Sequence, residues 1–313
     1  MPTLLGARAV KAIVDADIIC YEFGDMKDLE TGELLAWPIV RSLVDDRIQQ
    51  INEAVNATES VYYLTDSKSN FRNKVATILP YKGNRPDDKP PHWEEIRQHL
   101  IDNYDAQVQY GIEADDACGI EQYEDFKNSG HYIGPYPDRD SEWIHDDTLC
   151  ETIICSRDKD LNMIPGWHYS WECGKQKEKK WFVSEEEGIR FFYKQLLTGD
   201  ATDNILGLFR VGEKASCVKA LDDMTDEYNM YCHVRSEYES RFGSYAWEFL
   251  LENARLLWIL KDNKCKSQDP SQEILQRLWE HEKVIRSSDE EVSKTDGNEA
   301  SVQNESCKGQ DKV

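Results

Sequence analysis

Three apolar runs of strand length, Ala12–Val14, Val61–Leu64 and Thr152–Cys155, each lead into acidic residues and stand far apart in the chain. Runs this short are strands rather than helices, and strands separated by a dozen or more residues pair in parallel through crossover helices. The pattern predicts an α/β fold with a mostly parallel central sheet. Apolar residues recur three or four apart over Ile39–Ala54, Glu113–Phe126, Glu186–Leu197 and Tyr245–Leu260, which supplies the flanking helices. The stretch His131–Asp147, rich in Gly, Pro, Tyr and Asp, reads as a long loop. Lys175–Lys180, leading into Trp181-Phe182-Val183, reads as a hairpin tip.

A hydrophobic content of 40% is ample for a core. The expected organisation is an α/β core over residues 1–198 with a basic region at about 80–106, then a helical subdomain over 199–265 that opens on the glycine-containing stretch Gly199–Gly212. Residues 266–313 read as a polar, mostly disordered tail with one short helix, because apolar residues become too sparse to drive folding.

The formal charge of -23, from 60 acidic against 37 basic residues, excludes a protein that coats nucleic acid with its whole surface, so any such contact must be local. Nine cysteines without a CxxC pair or histidines at zinc spacing read as reduced thiols. No secretory signal is visible, and Asp15 and Asp17 interrupt the apolar stretch near the start. A soluble cytoplasmic protein with no membrane partner is expected, in the host cytoplasm if the source is viral.

The acids are placed more tellingly than they are numerous. Asp15 and Asp17 follow the first run, Asp66 the second, and Asp158 and Asp160 the third, so three strands deliver carboxylates to one sheet edge, where open α/β sheets bind ligands. Glu113, Asp115 and Asp116 open a helix, and Asp200 and Asp203 lie three residues apart. Each group alone has an ordinary explanation in helix dipoles or turn chemistry. Together they repel one another unless protons or multivalent cations intervene. Oxygen donors favour Mg²⁺ or Mn²⁺. Two such ions about 4 Å apart activate a water and stabilise a leaving phosphodiester oxygen without any His, Ser or Cys nucleophile.

Between Phe71 and Lys89 the charge reverses: Arg72, Lys74, Lys82, Arg85 and Lys89 accompany Tyr81. Lys82 and Arg85 are candidates to clamp a phosphate, with Tyr81 stacking on a base. Lys214 and Lys219 flank the later glycine loop and are candidates for duplex backbone contact.

At Val14-Asp15-Ala16-Asp17, Tyr81-Lys82-Gly83-Asn84-Arg85, Gly111-Ile112-Glu113-Ala114-Asp115-Asp116, Ser156-Arg157-Asp158-Lys159-Asp160 and Gly199-Asp200-Ala201-Thr202-Asp203-Asn204-Ile205 the chain resembles the 5′→3′ exonuclease and flap endonuclease superfamily, with its PIN-like nuclease fold. The resemblance spans roughly residues 10 to 260 and is nearest to free-standing phage exonucleases. It implies a first metal held by Asp15, Asp66, Glu113 and Asp115, and a second by Asp158, Asp160 and Asp203. Asp116 and Asp200 would support them, and Lys82 and Arg85 would belong to an arch through which a 5′ end passes. The helical subdomain would be a helix-three-turn-helix that holds duplex backbone through Arg210, Gly212 and Lys214, with Arg72 and Tyr81 adding contacts. The family's potassium ion sits at a Gly-Ile-Gly hairpin, whereas this chain has Arg210-Val211-Gly212, which argues against that ion. The implied activity is metal-dependent hydrolysis of DNA bearing a 5′ end or flap, in replication, repair or recombination, beside a replicative polymerase or single-strand-binding protein. Two other readings compete: a haloacid-dehalogenase-like phosphatase with Asp15 as nucleophile, and a catalytically inactive nucleic-acid-binding module.

Overall fold

The structure, a computed structural model, describes residues 10–86, 88–133, 142–145, 149–264 and 269–287, with only the backbone of 67, 131–133 and 142–145. The strands are β1 (Lys11–Asp15), β2 (Glu59–Asn70), β3 (Gln107–Gly111), β4 (Gly130–Ile133), β5 (Glu142–His145), β6 (Thr152–Cys155), β7 (Gly166–Ser170) and β8 (Lys179–Val183). The helices are α1 (Asp17–Phe23), α2 (Trp37–Val55), α3 (Arg72–Val75), α4 (Trp93–Tyr104), α5 (Ala114–Asn128), α6 (Glu185–Thr198), α7 (Ser216–Lys219), α8 (Glu227–Phe242) and α9 (Ala246–Leu257), followed by a helix over 272–287.

Six strands form the central sheet in the order β3-β2-β1-β6-β7-β8. All neighbouring pairs run parallel except β7 with β8. The expected mostly parallel sheet with flanking helices is thus present. From β1 the chain builds outward to β2 and β3, then returns to place β6 on the other side of β1. The order therefore reverses between β1 and β6, and a crevice opens there at the carboxyl ends of the strands.

Both faces of the sheet are covered, so the central strands are apolar throughout. Ile13 of β1 and Ile154 of β6 enter the core shared with α5, α6, α8 and α9, while Ala12, Val14, Ile153 and Cys155 enter the opposite core with α1, α2 and α4. Alternation of side chains along each strand produces this division. Helix α6 begins in a capping box between Ser184 and Glu187, with three glutamates in its first turn where the dipole favours them.

Three expectations need correction. The region of about 80–106 is not an arch as a whole, because α4 buries Trp93, Ile96 and Leu100 in the core against α1 and α2. The boundary at 198 does not divide the packing: Leu197, Leu208, Tyr238, Leu250 and Ile13 belong to one continuous core. The supposed loop over His131–Asp147 contains the antiparallel pair β4 and β5, with the rest of it outside the described residues. The short helix expected in the tail is present over 272–287, where it docks Ile274 and Leu278 into the core and pairs Arg277 with Glu227 at 2.6 Å. Beyond 287 the tail lies outside the described residues. The hairpin at Lys175–Lys180 is present between β7 and β8. No helix among the described residues is long and apolar enough to cross a membrane.

Arg72, expected at a DNA surface, is instead 1% exposed. Its guanidinium donates to both oxygens of Asp116, at 2.6 and 2.8 Å, and to the main-chain oxygens of Leu256 and Trp258 at 2.9 and 2.7 Å. It bolts α5 to the end of α9. Arg72→Met leaves Asp116 buried without its counter-charge, so about 3–5 kcal/mol of stability should be lost, read as a lower urea midpoint.

His168 on β7 is buried, donates from Nε2 to the Ile164 carbonyl at 2.7 Å, and stacks on Trp181. Burial pushes its pKa down to about 4. Between the ordinary histidine range and that value the unfolded chain binds the proton and the folded chain does not, so stability falls as pH falls. About 2 kcal/mol of the loss between pH 7 and pH 5 should belong to this residue. His168→Gln should flatten that part of the pH profile, measured by denaturant midpoints at both pH values.

Candidate active site

The carboxyl end of β1 presents Asp15, which is buried and accepts from the Ser156 hydroxyl at 3.2 Å across the crevice from β6. Ser156 Oγ also accepts the Asp158 main-chain N–H at 3.0 Å, so one serine ties the two strand ends together. Asp158 in turn accepts the N–H of Asp160 at 2.9 Å, and Asp160 accepts from Gln195 of α6 at 2.7 Å. Burial, then Asp17 and Asp158, push the Asp15 carboxyl well above the ordinary range. Burial, then Asp158 and Asp200, push Asp160 up to about 8.

Helix α5 begins at the same edge, since its first turn follows directly from β3. The Glu113 N–H donates to Asp116 at 3.0 Å, which fixes the turn and aims Asp115 and Glu113 at the crevice. Burial and the neighbouring Asp116 and Glu113 hold Asp115 well above the usual carboxylate range. Burial also pushes Glu113 up, but Lys82 and Arg72 outweigh it and hold Glu113 down at about 2. Asp116, buried at the base, binds Arg72 and the Leu260 N–H at 3.1 Å and so positions rather than lines the cleft.

The loop after α6 closes the far side. Gly199 and Gly207, both with positive φ, cross so closely that a Cβ on Gly199 would lie 2.3 Å from the Ile205 oxygen. Asp200 and Ile205 exchange two main-chain hydrogen bonds, and the Asp200 carboxylate accepts the Thr202 N–H at 2.7 Å. These bonds project Asp203 into the crevice. Asp200 itself stays buried and pairs with Lys159 at 3.2 Å, a partner that spacing in the sequence did not reveal.

The basic loop meets this acidic one directly. Lys82 N donates to the Asp203 carbonyl at 2.9 Å, Asn84 to the Ala201 carbonyl at 2.6 Å, and Asn204 to the Pro80 carbonyl at 2.9 Å. The Tyr81 hydroxyl lies 2.7 Å from Glu113 and 2.8 Å from Asp203 and spans the two. Lys82 pairs with Glu113 and lies 3.7 Å from Asp203, and Arg85 pairs with Asp203. Tyr81 is too buried to serve as the expected stacking platform, because its ring packs in the core and its hydroxyl holds two carboxylates.

Two departures from the expected ligand set stand out. Asp66 accepts from Ser69 at 2.7 Å, a contact that lowers its pKa, and it has no recorded contact with the cluster. It sits where the register of β2 against β3 shifts, between Thr65 and Asn70. Asp17 occupies the position between β1 and β2 instead, accepting from Thr65 N at 3.0 Å and Arg97 at 3.1 Å and interacting electrostatically with Asp15 and Glu113. Arg97 was not legible as a site residue, since it sits on an amphipathic helix face. Arg210, Gly212 and Lys214 are exposed on the loop that follows Asp203, apart from the carboxylates. Arg210 adopts the left-handed conformation at φ 61, the backbone state that makes glycine the ordinary choice there.

The donor set suits a hard divalent cation: every donor is oxygen, and buried acids at this density need protons or cations to coexist. Among the described residues no three acid, histidine or cysteine side chains stand at single-ion spacing.

No protein-family model and no curated protein matches the sequence. Solved structures do. The D15 protein of T5 co-crystallised with metal ions aligns with a TM-score of 0.54 at 16% identity, covering 87% of this chain and 98% of that one. A T5 5′-exonuclease with bound divalent zinc aligns with a TM-score of 0.52 at 15% identity, covering 87% and 99%. The bacteriophage T5 D15 flap endonuclease in a pseudo-enzyme–product complex with DNA and metal ions aligns with a TM-score of 0.51 at 15% identity, covering 87% and 98%. The chain has the fold of the T5 5′-exonuclease and flap endonuclease, over nearly the whole length of those proteins.

Proposed function

We propose that the chain is a metal-dependent 5′ nuclease that hydrolyses DNA phosphodiester bonds beside a 5′ end or flap. The observation that carries this reading is the convergence at one crevice of Asp15, Asp17, Glu113, Asp115, Asp158, Asp160 and Asp203, delivered by four separate parts of the chain. A crowd of acids in the fold of solved nucleases has one economical use. Two Mg²⁺ or Mn²⁺ ions, when bound, would lower the pKa of an attacking water and stabilise the leaving oxygen.

The chain's own residues supply the rest. Asp15, Glu113 and Asp115 face Asp158, Asp160 and Asp203 across the switch point, and the two groups would hold the ions between them. Lys82 and Arg85 now neutralise Glu113 and Asp203. Both cations would turn to the scissile phosphate when ions take over those carboxylates, and would stabilise charge that builds on it. Tyr81, bonded to both acidic groups, would keep their separation fixed. The exposed loop with Arg210, Gly212 and Lys214 would hold duplex backbone through guanidinium, ammonium and main-chain N–H groups. A phosphatase mechanism with Asp15 as nucleophile is disfavoured, because Asp15 is 5% exposed and held by Ser156.

Asp115→Asn and Asp158→Asn should each abolish cleavage of labelled flap DNA in Mg²⁺ while leaving DNA binding in Ca²⁺ intact by gel shift. Full activity in either variant would remove the metal assignment. Lys82→Ala should slow single-turnover cleavage by about 10²-fold. An unchanged rate would return Lys82 to a role in folding the loop.

A further inference from the structure

A cavity of about 290 Å³ lies between the loop that follows Asp203, the segment that leads into Tyr81, and helices α8 and α9. The rings of Phe242 and Phe249 line it as a stacked pair, centroids 4.3 Å apart and planes 5° from parallel. Ile78 lines it from one loop, and Leu206 and Phe209 from the other. Leu206 and Phe209 are 60% and 77% exposed, so large apolar side chains stand open to water around an apolar hollow, the usual setting of a ligand.

The walls are fixed before any ligand arrives. Glu252 accepts the Thr77 and Ile78 N–H groups at 2.8 Å each and holds the first loop on α9. The Leu208 N–H donates to the Leu197 carbonyl at 2.9 Å, and Arg241 donates to the Phe209 carbonyl at 3.4 Å, which holds the second. A preformed hollow binds without the cost of ordering its own loops.

Charge selects what fits. Of the polar side chains that line the hollow, Glu252 is spent on the first loop, Asn204 donates to the Pro80 carbonyl at 2.9 Å, Asn253 to the Tyr238 hydroxyl at 2.9 Å, and Thr198 to the Gly199 carbonyl at 3.2 Å. Arg210 remains. It is exposed, its guanidinium lies over the Phe209 ring at 4.9 Å, and among the described residues no carboxylate pairs with it. An apolar hollow edged by one uncommitted guanidinium matches an anion with an apolar body.

We propose that this hollow is a ligand site separate from the carboxylate cleft, and that it takes a small apolar acid: one ring or short hydrocarbon body carrying one carboxylate. The ligand's carboxylate pairs with Arg210 and so withdraws that side chain from duplex DNA. This last consequence rests on the nuclease reading above, whereas the site itself does not.

The test titrates the full chain with cinnamate, and with cinnamyl alcohol as its neutral match, by saturation-transfer NMR. Cinnamate should bind with a Kd on the order of 1 mM, as its size allows, and the alcohol about tenfold more weakly. Ile78→Trp fills the hollow from its rim and should remove binding of both. Arg210→Gln, an exposed change that leaves the walls intact, should reduce cinnamate to the affinity of the alcohol. Absence of transfer to cinnamate in the unaltered chain, equal binding of acid and alcohol, or unchanged cinnamate binding in Arg210→Gln would each overturn the site. In Ca²⁺ at matched ionic strength, saturating cinnamate should weaken duplex binding about fivefold, and by linkage the duplex should weaken cinnamate equally. Duplex affinity that ignores cinnamate would overturn the competition at Arg210. Duplex that never binds, with or without cinnamate, would overturn the nuclease reading and leave the ligand site standing.

Discussion

Mutual repulsion among carboxylates at the β1–β6 switch point is the constraint around which the rest of the molecule is arranged. Seven acids reach that crevice, and burial raises the cost of charging Asp15, Asp17, Asp115, Asp158 and Asp160. The fold tolerates them because positive groups approach from fixed directions: Arg72 from beneath α5, Arg97 from α4, Lys159 from the strand end and Lys82 with Arg85 from the opposite loop. Arg72, Arg97, Lys82 and Arg85 are also held by main-chain or aromatic contacts, so these counter-charges are part of the scaffold rather than mobile surface ions.

Much of this was legible in the sequence. The short apolar runs gave β1, β2 and β6, and acids at their ends marked the correct edge because a parallel sheet directs all its carboxyl termini one way. What stayed hidden was short or compensated. β3 reads Gln-Val-Gln-Tyr-Gly, an edge strand with little apolar signal, and β7 is interrupted by buried His168. Arg72 looked like a surface cation because a buried arginine cannot be told from an exposed one until its partners, some 44 and 186 residues distant, are known. The register shift in β2 beside Asp66, and the hydrogen bonds that tie Asp17 to Thr65 and Arg97, leave no trace in spacing.

The two charged loops explain each other. Lys82 adopts a left-handed backbone at φ 55, an unfavourable state for lysine, and its N–H is spent on the Asp203 carbonyl. The main chain of one loop thereby fixes the position of the other, and sets Lys82 and Arg85 beside Glu113 and Asp203.

The crossing of Gly199 over Gly207 has a consequence for how this protein can vary. Their backbones touch, with a Cβ on Gly207 placed only 2.2 Å from the Gly199 nitrogen, so the six residues from Asp200 to Ile205 form a sealed stitch in the chain. Nothing can be added inside the stitch without opening the crossing itself. Changes in length are more easily absorbed downstream, where Phe209, Arg210, Gly212, Glu213 and Lys214 are exposed, while the spacing from Asp200 to Asp203 keeps a fixed gauge.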